Sequence, residues 1–370
     1  MKTGLVWHET YMWHDTGSGV AFLEPGGYLQ PGEHVESPES KRRLRNLLEV
    51  SGLLERLTPI APRPATREEL ARVHDEELID RVARLSEEHG GLAGDEAPFG
   101  RGGYEIAARS AGGVLAAVEA VSAGEIDNAY ALVRPPGHHA MPDQGFGFCI
   151  FNNGAVAAAH LREALGAGRV AIVDWDAHHG NGAQQIFWDE PEVLTVSIHQ
   201  DGAFPPGSGG WDETGGPGAT GTNLNVPVPP GTGVGGYSAA FERVIVPALE
   251  RFRPDFILVA CGFDPGPQDP LARLMVHSDG FREMTARVRD CAERICDGRM
   301  VMFHEGGYSK AYVPFCGLAT IEALSGIESG VTDPFLAGYA GFPYQELQDL
   351  QDAVITRSEG QLEAIPRGER

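Results

Sequence analysis

Asp174-Trp175-Asp176-Ala177-His178-His179-Gly180-Asn181 packs two carboxylates, two imidazoles and an amide into one short segment, straight after the apolar run Val170 to Val173. Such a run reads as a buried strand. Alternate residues of an extended segment point the same way, so Asp176 and His178 form a compact donor pair. An Asp-x-His pair on its own is as well explained by a hydrogen-bonded turn. Asp264, which follows another apolar run, would add a second carboxylate oxygen to the pair, and together with the crowd of imidazoles it favours a metal site. Three protein ligands with an open fourth position describe a catalytic zinc centre rather than a structural one. A donor set rich in oxygen suits Fe2+ as well.

Proton-transfer groups lie close by in kind. His138-His139 follows the turn Pro135-Pro136-Gly137, and the pair fits either a surface loop or a general base and general acid of different basicity. Asp174 and Asn181 are the candidates to hold one ring each. A carboxylate partner favours the imidazolium, whereas an amide supplies no charge. Tyr308, after Gly306-Gly307, is placed to donate its phenolic hydrogen to a developing oxyanion, or is an ordinary half-buried tyrosine at a strand end. Phe146 to Phe151 reads equally as channel lining or core. The glycines at 207–210 and 215–221 have no following lysine in phosphate-loop register, so rim loops describe them better.

The elements that must position these groups are legible as alternation. Apolar runs at 4–7, 129–134, 170–173, 193–198, 256–261 and 300–303 read as strands. Segments near 104–123, 153–166, 236–251, 278–296 and 317–325 read as helices, and the pair Ser37-Pro38 opens a further basic helix to about Ser51, with Pro38 at its first position. Strand–helix alternation implies a parallel sheet with helices on both faces, hence an α/β fold. Four of the runs end in Arg134 to His139, Asp174 to Asn181, Asp264, and His304 to Tyr308. In a parallel sheet such ends share one edge, where ligands bind. The loop 10–33, with Tyr11, Trp13, His14 and Tyr28, fits a lid or an oligomer contact. A single domain over 1–370 is expected.

Composition bounds the class. A net charge of −23 over 370 residues argues against nucleic-acid binding, which needs a basic face. It favours cationic or amine-bearing partners. No apolar run approaches a membrane span, and the N-terminus does not read as a signal peptide. The five cysteines have no CxxC spacing and fit buried thiols in a reducing compartment. A cytoplasmic location is the expectation.

Taken in order, Arg134-Pro135-Pro136-Gly137-His138-His139, Gly147-Phe148-Cys149 with Asn152-Asn153, the run Asp174 to Gly182, Gly262-Phe263-Asp264 with Asp269-Pro270-Leu271, and Glu305-Gly306-Gly307-Tyr308 resemble the zinc-dependent histone deacetylase family. Trp175 and Asn181 resemble its class II branch, in particular the bacterial histone-deacetylase-like amidohydrolases. The resemblance covers Gly4 to about residue 345. It implies a single-domain arginase/deacetylase fold with a central eight-stranded parallel sheet. It implies Zn2+ on Asp176, His178 and Asp264, catalysis by His138, His139 and Tyr308, and a structural K+ near Asp174 and Ser197. Gly147, Phe148 and Leu271 would line the tunnel for a small-molecule or peptide acyl-amine substrate.

Leu271 stands where a polyamine-preferring relative carries glutamate, which tilts the expectation toward acetyl-lysine-like amides. Asp95-Glu96 keeps acetylpolyamines as the alternative. Pro205 stands where relatives often carry a second aromatic facing Phe148, so a wider tunnel is expected. The binuclear manganese ureohydrolases need an aspartate where Gly180 stands. A non-catalytic acyl-amine sensor would be expected to lack a ligand or Tyr308.

Overall fold

The apolar runs that end in polar residues all become strands of one parallel sheet in the computed structural model of the chain, which describes residues 1–368. In chain order the strands are β1 (Thr3–Val6), β2 (Thr58–Ile60), β3 (Asn128–Ala131), β4 (Val170–Asp174), β5 (Val193–Gln200), β6 (Asn223–Val228), β7 (Phe256–Cys261) and β8 (Met300–His304). Their order across the sheet is β6-β5-β4-β7-β8-β3-β1-β2. Both faces are covered. Ala171 and Val173 of β4 enter one core with Leu44, Phe241, Met284 and Leu318. Val170 and Ile172 enter the other with Val82, Leu115 and Val156. This alternation is the period-2 geometry of a strand buried on both sides.

The four strands whose ends carry chemistry, β4, β7, β8 and β3, are consecutive neighbours at the centre of the sheet. A central position gives each of these strands a parallel ladder on both sides, so their ends are held by the whole sheet. The strands not readable from the residues, β2 and β6, are its two edges. They carry Pro59, Pro227, Asn223 and Asn225 where an inner strand would be apolar, and edges tolerate proline because one side needs no ladder bond.

Two helix expectations are corrected. The first basic helix runs Glu39–Val50 with Pro38 as its N-cap and no side-chain cap bond, so the proline lies one position further out than expected. The segment expected as one helix at 236–251 is Val234–Ala240, a π-helical turn Phe241–Ile245, and Val246–Phe252. Pro247 has no N–H for the preceding turn, and the widened turn accommodates its ring. Helices Glu76–Glu88 and Arg67–Ala71 were not read from the sequence. The loop at 10–33 is folded on itself through the antiparallel pairs Ser18–Glu33 and Gly19–Gly32. Among the described residues no helix is long and apolar enough to cross a membrane.

Candidate active site

Beyond β3 the chain turns back at Arg134, whose guanidinium is fully buried and paired with Glu36 at 2.8 Å. Arg134 also donates to the carbonyls of Tyr11 and His14. Glu305, directly after β8, accepts from the amides of Gly137 at 2.7 Å and His138 at 3.2 Å. Asn152 caps the helix Asn153–Glu163 through Ala155 N and donates to Ala140 O at 3.0 Å. The histidine pair is therefore pinned from three sides by buried polar groups.

Asp176, His178 and Asp264 converge as expected, each offering an atom within 4.8 Å of the others. His178 Nδ1 lies 3.0 Å from Asp176 Oδ1 and 3.1 Å from Asp264 Oδ2. The remaining carboxylate oxygens are fixed by backbone amides, Asp176 Oδ2 by Gly306 at 2.8 Å and Asp264 Oδ1 by Ala177 at 2.7 Å. Both carboxylates are fully buried, and among the described residues neither pairs with a lysine or arginine. Burial and the neighbouring Asp176 push the Asp264 carboxyl well above its usual range. Two buried carboxylates around one imidazole, with their outer oxygens already satisfied, hold more negative charge than the nearby His138 ring, 3.8 Å from Asp176, can offset, and a divalent cation fits that deficit. A Cβ on Gly306 would come within 2.3 Å of Asp264 Oδ2, so this approach requires glycine.

The two histidines are in different states. Burial disfavours charge on His138, but Asp176 and Asp174 outweigh it and raise its pKa to about 10. Its Nδ1 donates to Asp174 Oδ2 at 2.9 Å. Burial, then the His138 and His178 rings, hold His139 well below the usual imidazole range. His139 Nδ1 lies 2.7 Å from Asn181 Oδ1, an acceptor that requires the hydrogen on Nδ1 and leaves Nε2 as a base. His179 points elsewhere, to Ser208 at 2.6 Å and Gln184 at 3.0 Å.

Tyr308 meets Phe148 edge-to-face at 5.8 Å. Burial, with Asp176 and Asp264, pushes its phenol well above the usual range, so it stays a donor. A tunnel of about 200 Å³ leads to this group, lined by Gly147, Phe148, Phe204, Leu271, Phe22 and Glu96, with His139, His178 and Tyr308 facing it. Phe148 has φ +70° and Gly147 φ +49°. A Cβ on Gly147 would meet His139 at 2.7 Å and Phe204 at 2.8 Å, so glycine lets ring and wall close up. The expectation of a wider tunnel at Pro205 is corrected. Phe204 supplies the aromatic wall, stacked on Phe146 at 5.0 Å, while Pro205 faces a separate cleft.

Asp174, the last residue of β4, and Ser197, within β5, are register partners. Ser197 Oγ lies 2.9 Å from His199 Nδ1. Glu36, Lys41 and Asp269 received no role from the sequence, yet all three are buried around the site. Asp269 stood inside a motif without a task, while Glu36 and Lys41 appeared only as charged residues near a helix start, and charge alone does not announce burial.

A model of the histone deacetylase domain matches residues 34–324. The chain is 51% identical over 361 residues to a histone deacetylase-like amidohydrolase of Pseudomonas aeruginosa, covering 94% of this chain and 95% of that one. It is 36% identical over 338 residues to a probable deacetylase of Archaeoglobus fulgidus, covering 90% and 89% of the two chains. Among solved structures, the HDA15 HD domain superposes with a TM-score of 0.83 at 33% identity, covering 98% of this chain and 96% of that one.

Proposed function

The chain belongs to the histone deacetylase family, and on that premise we propose that it is a metal-dependent amidohydrolase that removes acetyl or a similar short acyl group from lysine-like amines. The observation that carries the reading is the meeting, at the floor of one narrow tunnel, of a buried Asp-His-Asp set, a neutral histidine and a phenol. Asp176, His178 and Asp264 would hold the cation, for which Zn2+ is the first choice and Fe2+ also suits the donors. When bound, such a cation polarises the scissile carbonyl and makes an attacking water more acidic.

The chain's own residues then have distinct tasks. His139, neutral and with its hydrogen directed at Asn181, takes the water's proton at Nε2. His138 keeps its positive charge against Asp174 and offsets the negative charge that gathers during attack. Tyr308 donates its phenolic hydrogen to the oxygen as the amide carbonyl becomes tetrahedral. His139 returns its proton to the amine nitrogen as the C–N bond breaks, and the acid's remaining proton passes to the amine, so the products leave as carboxylate and ammonium. Phe148 and Phe204 flank the methylene chain and exclude water.

Two further assignments belong to the same reading. A K+ beside Asp174 and Ser197 would brace the end of β4 against the neighbouring β5. Trp13, Leu23 and Tyr28 stand exposed on the loop that brings Phe22 to the tunnel, which supports that loop as a contact between copies of the chain. The setting is taken as cytoplasmic, with all five buried cysteines free.

The test is turnover of an acetyl-lysine fluorogenic peptide by the zinc-loaded full chain, beside Asp264→Ala. The wild type should release one acetate per amine, and the variant should lose both bound metal and turnover while keeping its circular dichroism. Retained turnover in a metal-free Asp264→Ala protein would sink the assignment. One observation favours acylated polyamines as a second substrate class. The Glu96 carboxyl lines the tunnel without a hydrogen-bond partner among the described residues, where a second amine would meet it. N-acetylputrescine in the same assay separates the two classes.

A further inference from the structure

Tyr308 follows two glycines, and Gly307 has φ +119°, a region closed to other residues. Such a hinge gives the phenol freedom that an oxyanion donor must not have. The Tyr308 hydroxyl has no hydrogen-bond partner among the described residues, so its position is set by packing and by its backbone. The backbone is held by one group from a different strand end. Asp269 Oδ2 accepts from Tyr308 N at 2.8 Å, and Asp269 Oδ1 accepts from Leu271 N at 2.9 Å. Asp269 is buried, and its own amide donates to Gly266 O at 3.1 Å. The adjacent pair Ser309 and Gln268 forms a longer contact at 3.4 Å between the same two segments.

We propose that Asp269 is a positioning residue for the deacylation, its single carboxylate fastening the tunnel-wall segment at Leu271 to the segment that aims Tyr308. This inference rests on the deacylase reading for its catalytic consequence, though not for the clamp itself. A buried carboxylate that only closed its local turn would need the Leu271 amide alone. The bond to Tyr308 N spans from the loop after β7 to the loop after β8, and it falls one peptide beyond the glycine hinge. Burial raises the Asp269 carboxyl to about 6, and the ionised form accepts both amides without presenting a hydrogen of its own. An asparagine there places an NH2 group against one of two N–H donors whichever way it is flipped, so one bond is lost and a donor pair is opposed.

The experiment is a double-mutant cycle in the zinc-loaded full chain on the acetyl-lysine peptide, using Asp269→Asn, Tyr308→Phe and the double variant. Asp269→Asn should lower kcat by roughly 10- to 100-fold, the scale of a misplaced reacting group, with bound zinc unchanged. In the Tyr308→Phe background the same substitution should change kcat less than about twofold, because the hydroxyl it aims is gone. Hydrogen exchange at the amides of 306–312 should quicken in Asp269→Asn. Equal losses in both backgrounds, or an unchanged kcat, would overturn the proposal. Should Asp269→Asn not fold, Asp269→Glu, which displaces the carboxylate by one methylene, is read in the same cycle. Should the wild type hydrolyse no acylated amine, the deacylase reading falls, and exchange at 306–312 alone decides the clamp.

Discussion

Two adjacent histidines share one sequence context and differ in chemistry because of what each Nδ1 meets. His138 donates to a carboxylate and His139 to an amide. With Asp174 ionised, His138 is held charged, and its charge then helps to hold His139 neutral. Neutrality is what a general base needs, so Asn181 protects the function by failing to supply charge. Asn181→Asp reverses this. A carboxylate at that place stabilises the His139 imidazolium, raises its pKa, and removes the base over a wider acidic range. The acid limb of the kcat/KM profile should therefore move to higher pH by about one unit or more, with little change on the alkaline side. An acid limb that stays in place in Asn181→Asp would take proton acceptance away from His139.

Elements enter through the ends of the strands. The central quartet β4, β7, β8 and β3 was readable because inner strands are apolar throughout and stop abruptly at polar residues. The same contrast exposed Asp176, His178, Asp264 and Tyr308. The edges β2 and β6 carry proline and asparagine and blurred into their loops, and the buried supports of the site were opaque for a related reason. Glu36 and Lys41 carry no local signal beyond charge near a helix start, yet both are fully buried beside Arg134, a partner almost a hundred residues away that no local pattern reveals. Burial works against charge on Glu36, but Arg134 and Lys41 outweigh it and hold its carboxyl well below the usual range. Glu36→Gln leaves two buried cations without their counter-charge and should cost about 3–5 kcal/mol of stability by urea denaturation near pH 7. The folded pKa lies below the unfolded one, so this contribution is complete above the unfolded value of about 4.3 and fades as pH falls below it. The gap between wild type and variant should narrow in acid, and a gap that widened there would mean Glu36 is not ionised in the folded protein.

At the scale of the whole molecule, the sheet gathers its chemistry at one edge behind a narrow tunnel, while the chain as a whole carries a net charge of −23. The tunnel wall is mostly apolar, with Glu96 as its acidic member away from the metal set. Such a wall grips a methylene chain and cannot by itself distinguish a cationic peptide from a neutral one. The surrounding field can. It raises the local concentration of positively charged substrates and lowers that of anionic ones. Added salt screens this attraction over about 10 Å at 0.1 M and leaves apolar packing inside the tunnel intact. For an acetyl-lysine peptide flanked by lysines, kcat/KM should fall several-fold between low ionic strength and about 0.5 M salt. A neutral peptide with the same acetyl-lysine should change less than about twofold, and an acidic one should gain. Since the chemical step is common to all three peptides, a shared salt response would locate the effect in the enzyme's own stability or metal binding. A response ordered by peptide charge would show that the acidic surface takes part in choosing the substrate.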